Sequence, residues 1–132
     1  MKPIRVLLID DHEEFLDTAS SFLLKNSKGD IEIVGRASTG SEGIKLNDLL
    51  MPDVILLDVK LPDMNGLQIA KYLKFNNYPS HIIIITLFDT EEYRSEAAVS
   101  GAEGFVCKTN FFRDILPTIH NLYSEDKIYS SP

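Results

Sequence analysis

The chain has 132 residues, 44% apolar and 25% charged, which suits one globular domain with a core of its own and is no composition for intrinsic disorder. Twenty Asp and Glu outweigh thirteen Lys and Arg for a net charge of −7. Such a surface repels phosphate backbones, so no direct nucleic-acid contact is expected of it. One cysteine, Cys107, excludes an internal disulfide framework and fits a reducing compartment. The longest strongly apolar stretch, 82–88, is far too short to span a membrane. The N-terminal apolar run Val6–Ile9 meets Asp10-Asp11-His12-Glu13-Glu14 at once, which is neither a signal nor a transit peptide. A cytoplasmic protein without membrane contact is expected.

The first strand is predicted over Ile4–Ile9. Asp11-x-x-Glu14 has the pattern of a capping box, opening a helix with the apolar stripe Phe15, Ala19, Phe22 and Leu23. Gly29 lies just past its end. Ile31–Ala37 alternates apolar and polar residues, as an edge strand does. Ser41 is positioned to cap a second helix carrying Ile44, Leu46, Leu49 and Leu50, which Met51-Pro52 ends. Val54–Leu57 is the third strand, and Asn65 caps a helix with Leu67, Ile69, Ala70, Leu73 and Phe75. Ile82–Leu87 is the fourth strand; Asp89-x-x-Glu92 opens its helix and Gly101 closes it. Gly104–Cys107 is the fifth, and the helix after Asn110 carries Phe112, Ile115, Leu116, Ile119, Leu122 and Tyr123, with Pro117 in its first turns.

Three of the strands hold continuously apolar runs, Val6–Ile9, Val54–Leu57 and Ile82–Ile85, which places them inside a parallel sheet covered on both faces. The order βαβαβαβαβα implies an α/β fold, a doubly wound five-stranded parallel sheet with right-handed crossovers. The strands end at Asp10-Asp11, Asp58, Thr86 and Lys108, and in such a sheet these ends share the edge where ligands bind. Two carboxylates about 4 Å apart repel by about 4 kcal/mol at an effective dielectric of 20. Three beside one lysine therefore call for raised pKa values or a divalent cation. Mg²⁺ takes hard oxygen ligands beside phosphate oxygens, and a carboxylate can attack phosphorus. The residues point to Mg²⁺-dependent phosphorylation of an aspartate.

Over residues 4–123 the chain resembles bacterial two-component response regulator receiver domains. The resemblance rests on Leu8-Ile9-Asp10-Asp11-His12, on Leu57-Asp58-Val59-Lys60-Leu61-Pro62-Asp63-Met64-Asn65-Gly66, on Ile85-Thr86, and on Gly101-Ala102-Glu103-Gly104-Phe105-Val106-Cys107-Lys108. It implies the flavodoxin-like (βα)5 architecture with strand order 2-1-3-4-5, and a phosphorylation-controlled switch rather than a metabolic enzyme. Asp58 would accept phosphate from a sensor histidine kinase. Asp10, Asp11, Asp58 and the main-chain carbonyl of Lys60 would hold Mg²⁺, while Thr86 and Lys108 would engage the phosphoryl group. Phe105 would be the aromatic that rotates inward on activation, and the fourth helix, fifth strand and fifth helix the face for a partner or second copy. Three positions depart from the usual pattern: Thr109 where many receivers have proline, Leu87 where many have a small residue, and Lys60 two residues after the acceptor.

Residues 1–123 are assigned to the receiver domain and 124–132 to a tail or the start of a linker. That polar tail resembles the segment leading to a LuxR-type helix-turn-helix domain in NarL/FixJ-type regulators, so the chain is expected to be the front of a longer protein. The alternative is a stand-alone or phosphate-independent interaction module on the same fold. A flavodoxin-like cofactor binder would need phosphate donors where Asp10-Asp11-His12-Glu13-Glu14 stands. A haloacid-dehalogenase-like phosphatase would need Asp-x-Asp after the first strand. His12 reads as a solvated helix-start residue and Cys107 as a buried structural thiol; His81 and His120 lack ligand spacing.

Overall fold

Strands and helices alternate along the whole chain: β1 (Ile4–Ile9), α1 (Glu13–Asn26), β2 (Ile31–Ala37), α2 (Gly40–Leu50), β3 (Val54–Asp58), α3 (Gly66–Phe75), β4 (His81–Thr86), α4 (Glu91–Val99), β5 (Gly104–Cys107) and α5 (Phe111–Ser130), with a 3₁₀ turn at Lys108–Asn110 before the last helix. The computed structural model describes residues 2–130, with side chains through Tyr123. All strand pairs are parallel and the order is β2-β1-β3-β4-β5. The polarity of the strands explains it. β1, β3 and β4, each with a continuous four-residue apolar run, fill the middle, and the alternating β2 lies at an edge.

The period-2 alternation of each strand divides the core in two. Val6, Leu8, Val54, Leu56, Ile83 and Ile85 pack under α1 and α5, against Leu16, Ala19, Leu23, Phe111, Ile115 and Ile119. Leu7, Ile9, Ile55, Leu57, Ile82 and Ile84 pack on the other face with Ile69, Ala70 and Leu73 of α3 and Ala97 of α4. Truncating a wholly buried strand residue such as Ile55 to Ala would cost about 2–5 kcal/mol. Among the described residues no helix is long and apolar enough to cross a membrane.

Helix starts are where local reading and structure part. Asn65 does cap α3, accepting from Leu67 N at 2.7 Å. The expected capping box at Asp11 is not formed: α1 begins at Glu13, its N-cap His12 makes no side-chain cap, and the His12 N–H is held by Asp10 Oδ1 at 2.8 Å. Thr39, not Ser41, caps α2. The N–H groups of Gly40 and Ser41 both donate to Asp63 from the β3–α3 loop, at 2.7 and 3.0 Å. Thr90, not Asp89, caps α4, because Asp89 is taken by Arg94. β4 stops at Thr86, leaving Leu87 exposed. At the ends of α1 and α4, Gly29 and Gly101 adopt positive φ as expected.

Candidate functional site

Register brings the strand-terminal residues together. Ile9 pairs with Leu57, so Asp10 and Asp58 leave adjacent strands side by side; Asp58 pairs with Ile85, and Thr86 with Cys107. Alternation then sorts the side chains. Asp10, Asp58 and Lys108 continue the rows Val6-Leu8, Val54-Leu56 and Val106, on the α1/α5 side of the sheet edge. Thr86 continues Ile82-Ile84, and Phe105 belongs to the same opposite side.

The contacts follow that division. Lys108 Nζ lies 2.7 Å from Asp10 Oδ2 and 3.5 Å from Asp58 Oδ2. With the Lys108 and Asp10 side chains only 8% and 4% exposed, this is a buried ion pair, where removing one partner typically costs about 3–5 kcal/mol. Lys108 Nζ also lies 4.6 Å over the Phe15 ring of α1. The Asp58 carboxyl is pushed up to about 6, first by burial and next by the Asp10 charge. Lys108 and a hydrogen bond from the Lys60 backbone hold it down, and Asp11 adds a smaller upward push. At neutral pH it is still mostly ionised, so it can act as a nucleophile.

On the other side of the edge, buried Thr86 accepts from Phe88 N at 3.1 Å through its hydroxyl oxygen. Phe105 is half-buried, with the Arg94 guanidinium 4.6 Å over its ring, and Arg94 in turn makes a two-pronged bond to Asp89 at 2.6 and 3.2 Å. Lys60 is exposed, and its ammonium sits 4.2 Å over the Phe88 ring. Thus the loops that follow Asp58 and Thr86 touch. No peptide bond among the described residues is cis, and the 3₁₀ turn accommodates Thr109. Cys107 is buried against Thr109 Oγ1 at 3.2 Å, the structural role expected of it.

Asp10, Asp11, His12 and Asp58 each offer one ligand atom, and these atoms lie within 4.8 Å of one another. Opposite ligands of an octahedral Mg²⁺ stand about 4.2 Å apart, so a slight contraction would bring the group to that size. Asp10 Oδ2 is buried and met by the Lys108 ammonium at 2.7 Å. An acidic pocket that sets three carboxylates against one ammonium fits a divalent cation. His12 joins this group although its sequence context places it in solvent. Its Nδ1 approaches Asp10 Oδ1 to 3.1 Å and Asp11 Oδ1 to 3.4 Å. Arg94 and Asp63 carry no sequence signal either, because each acts across a loop and neither lies at a strand end.

Comparison with known proteins agrees with this geometry. The response regulator receiver domain family matches residues 6–120. Over 129 residues the chain is 35% identical to the nitrate/nitrite response regulator NarL of Escherichia coli K12, covering 98% of this chain and 59% of that protein. The transcriptional regulatory protein LiaR of Bacillus subtilis is 37% identical over 116 residues, 88% of this chain and 54% of LiaR. The chain thus spans little more than half the length of these relatives. Among solved structures, the receiver domain of the response regulator NarL from Mycobacterium tuberculosis superposes with a TM-score of 0.86 at 28% identity, over 92% of this chain and 97% of that one. A fold that brings Asp10, Asp58 and Lys108 to one sheet edge, and a sequence match along nearly its whole length, lead to the same conclusion: the chain belongs to the response regulator receiver domain family, on its NarL/LuxR branch.

Proposed function

We propose that Asp58 is the phosphoryl acceptor of a two-component signalling switch acting in the cytoplasm. The observation that carries this reading is a buried carboxylate whose pKa is raised to about 6, 3.5 Å from a buried lysine and beside a second buried carboxylate. An oxygen of Asp58 would form the new bond to phosphorus as the bond from phosphorus to the kinase's histidine nitrogen breaks, the electron pair leaving with the imidazole. Asp10, Asp11, Asp58 and the main-chain carbonyl of Lys60 would hold Mg²⁺, which when bound neutralises the phosphoryl oxygens. Lys108 pairs with the charge that Asp58 gains. The Thr86 hydroxyl turns from Phe88 N toward the phosphoryl group as a donor. That turn biases the packing of the β4–α4 loop and of Phe105, giving a two-state switch.

The domain then catalyses only its own phosphorylation and slow dephosphorylation, and turns over no metabolite. Its α4–β5–α5 face would receive a partner or a second copy on activation. EvgA of Escherichia coli, 31% identical over 88% of this chain, is a DNA-binding transcriptional activator, and the chain spans 55% of it. This supports a DNA-binding output domain encoded beyond Pro132, with 1–123 as the receiver and the tail as the start of a linker. Pro132 itself lies outside the described residues.

Incubation with acetyl phosphate, with and without Mg²⁺, followed by a phosphate-affinity gel tests the central step. The wild type should give a slower band that requires Mg²⁺. Asp58→Asn should abolish it, and Asp58→Glu should not restore it. A band of equal strength in Asp58→Asn would move the acceptor elsewhere.

A further inference from the structure

His12 takes a position that a helix-start residue does not need. Its backbone is already fixed, with the N–H bonded to Asp10 Oδ1 at 2.8 Å and φ and ψ at −92° and 101°. The ring was therefore free to extend into solvent, and its side chain is indeed 60% exposed. Yet the nitrogen nearer the backbone faces inward. Nδ1 lies 3.1 Å from Asp10 Oδ1, 3.4 Å from Asp11 Oδ1 and 3.4 Å from Lys108 Nζ. Together with one oxygen of Asp58 it completes a set of four ligand atoms within 4.8 Å of one another. The charge balance marks the same spot as a place for a cation: three carboxylates gather here around the Lys108 ammonium, 2.7 Å from Asp10 Oδ2 and 3.5 Å from Asp58 Oδ2, which leaves the pocket an excess of negative charge.

We infer that His12 Nδ1 is a ligand of the cation held by this pocket, and that it moves the pocket's preference from Mg²⁺ toward first-row transition-metal cations such as Mn²⁺. The inference rests on the cation site of the proposed function but not on phosphoryl transfer. Three carboxylates alone form an oxygen site suited to Mg²⁺, which binds through one or two carboxylates and otherwise keeps its waters. An imidazole nitrogen suits the first-row transition metals, whose affinity for nitrogen-containing sites rises along the series that Mn²⁺ begins. A pocket with His12 in its ligand set would thus take up Mn²⁺ at a concentration where Mg²⁺ competes.

Electron paramagnetic resonance on the full chain loaded with Mn²⁺ alone tests this directly. Three-pulse electron spin echo modulation should show ¹⁴N coupling from a bound imidazole in the wild type, and His12→Ala should lose it. His81 and His120 are retained in that variant, so the loss identifies the residue. In parallel titrations, the ratio of Mn²⁺ to Mg²⁺ affinity should fall about tenfold or more in His12→Ala, since loss of a ligand should weaken metal binding at least as much as loss of a ligand's supporting partner. Asp11→Asn should weaken binding of both ions, showing that the ion is in this pocket. Failure to bind Mn²⁺, bound Mn²⁺ without ¹⁴N coupling, coupling that persists in His12→Ala, or an unchanged affinity ratio would each overturn the inference. Labelling of Asp58 by acetyl phosphate is read separately, so failure of phosphorylation leaves this result standing.

Discussion

Lys108 stands closer to Asp10 than to Asp58, its ammonium 2.7 Å from one carboxylate and 3.5 Å from the other. The lysine therefore neutralises Asp10 most fully, and Asp58 receives a partial share. Burial and the Asp10 charge outweigh that share, and the Asp58 carboxyl sits near 6. Lys108→Met should raise it further, and Asp10→Asn should lower it by removing the largest like charge. Carboxyl ¹³C NMR titration of Asp58 in metal-free buffer measures both. Titration of Asp58 at or below 6 in Lys108→Met would show that the lysine does not act on it.

The raised Asp58 pKa also makes stability depend on pH in a defined window. The ordinary carboxyl value of 3.8 describes the unfolded chain, and about 6 the folded one. Below 3.8 the group is protonated in both states and neutral to stability. As pH rises from 3.8 to about 6 the unfolded chain ionises first, so the folded state loses stability, and above 6 the full penalty remains. The difference between those two values corresponds to at most about 3 kcal/mol. Asp58→Asn should accordingly stabilise the metal-free protein by about 1–3 kcal/mol at pH 7, with the gain shrinking toward zero near pH 3.8. Urea unfolding with a chelator present, at several pH values, reads it. A gain that does not vary with pH would assign the effect to packing.

The strands were legible because β1, β3 and β4 carry their apolar runs without interruption, and a run of that kind is stable only inside a covered parallel sheet. Asp10, Asp58 and Thr86 were legible because they end those runs, and Lys108 because it follows β5 directly. Three of the helix caps were not: Asp11, Ser41 and Asp89 have the right side chains at nearly the right places, but Asp10 takes the His12 N–H, Asp63 takes those of Gly40 and Ser41, and Arg94 takes Asp89. The division of the site was implicit in strand alternation, which sets Thr86 apart from Asp10, Asp58 and Lys108. The inward turn of His12 had no local signal, because it depends on Asp10 and Lys108, which meet only in the folded chain.

Among the described residues Lys60 makes no ion pair with Asp10, Asp11 or Asp58; its ammonium lies over the Phe88 ring at 4.2 Å. The contact joins the loop after Asp58 to the loop after Thr86, and Phe88 is further braced by stacking on Tyr93 at 5.7 Å. A cation over an exposed ring is worth about 0.5–1 kcal/mol. Losing it should let the two loops part and admit water to the phosphorylated form. Lys60→Ala and Phe88→Ala should each shorten the lifetime of that form by about two- to fivefold. The double variant should be no faster than the more affected single, since both remove one contact. Decay of the labelled band over time measures all three, and multiplicative effects would mean that the residues act separately.

Gly66 opens α3 directly behind Asp58. Its N–H donates to Val59 O at 2.7 Å, and a Cβ placed on it would stand 2.1 Å from the carbonyl oxygen of Asp58 and 2.9 Å from the carbonyl carbon. Helix propensity alone would favour Ala there by about 1 kcal/mol. Sterics oppose it, because both atoms are backbone and cannot swing aside as a side chain would. Either α3 backs away from β3 or the Asp58 backbone moves, and overpacking of this kind costs about 1–3 kcal/mol or more. A displacement near 1 Å at a reacting group costs about a hundredfold in rate. Gly66→Ala should therefore lower stability in urea by about 2 kcal/mol and slow acetyl phosphate labelling by more than about tenfold. Gly29→Ala is the matched control. It has open space around its Cβ but a φ of +85°, so it should cost about 1–2 kcal/mol of backbone strain and leave the labelling rate unchanged. Wild-type stability and labelling in Gly66→Ala would show that the loop between β3 and α3 yields without moving the acceptor.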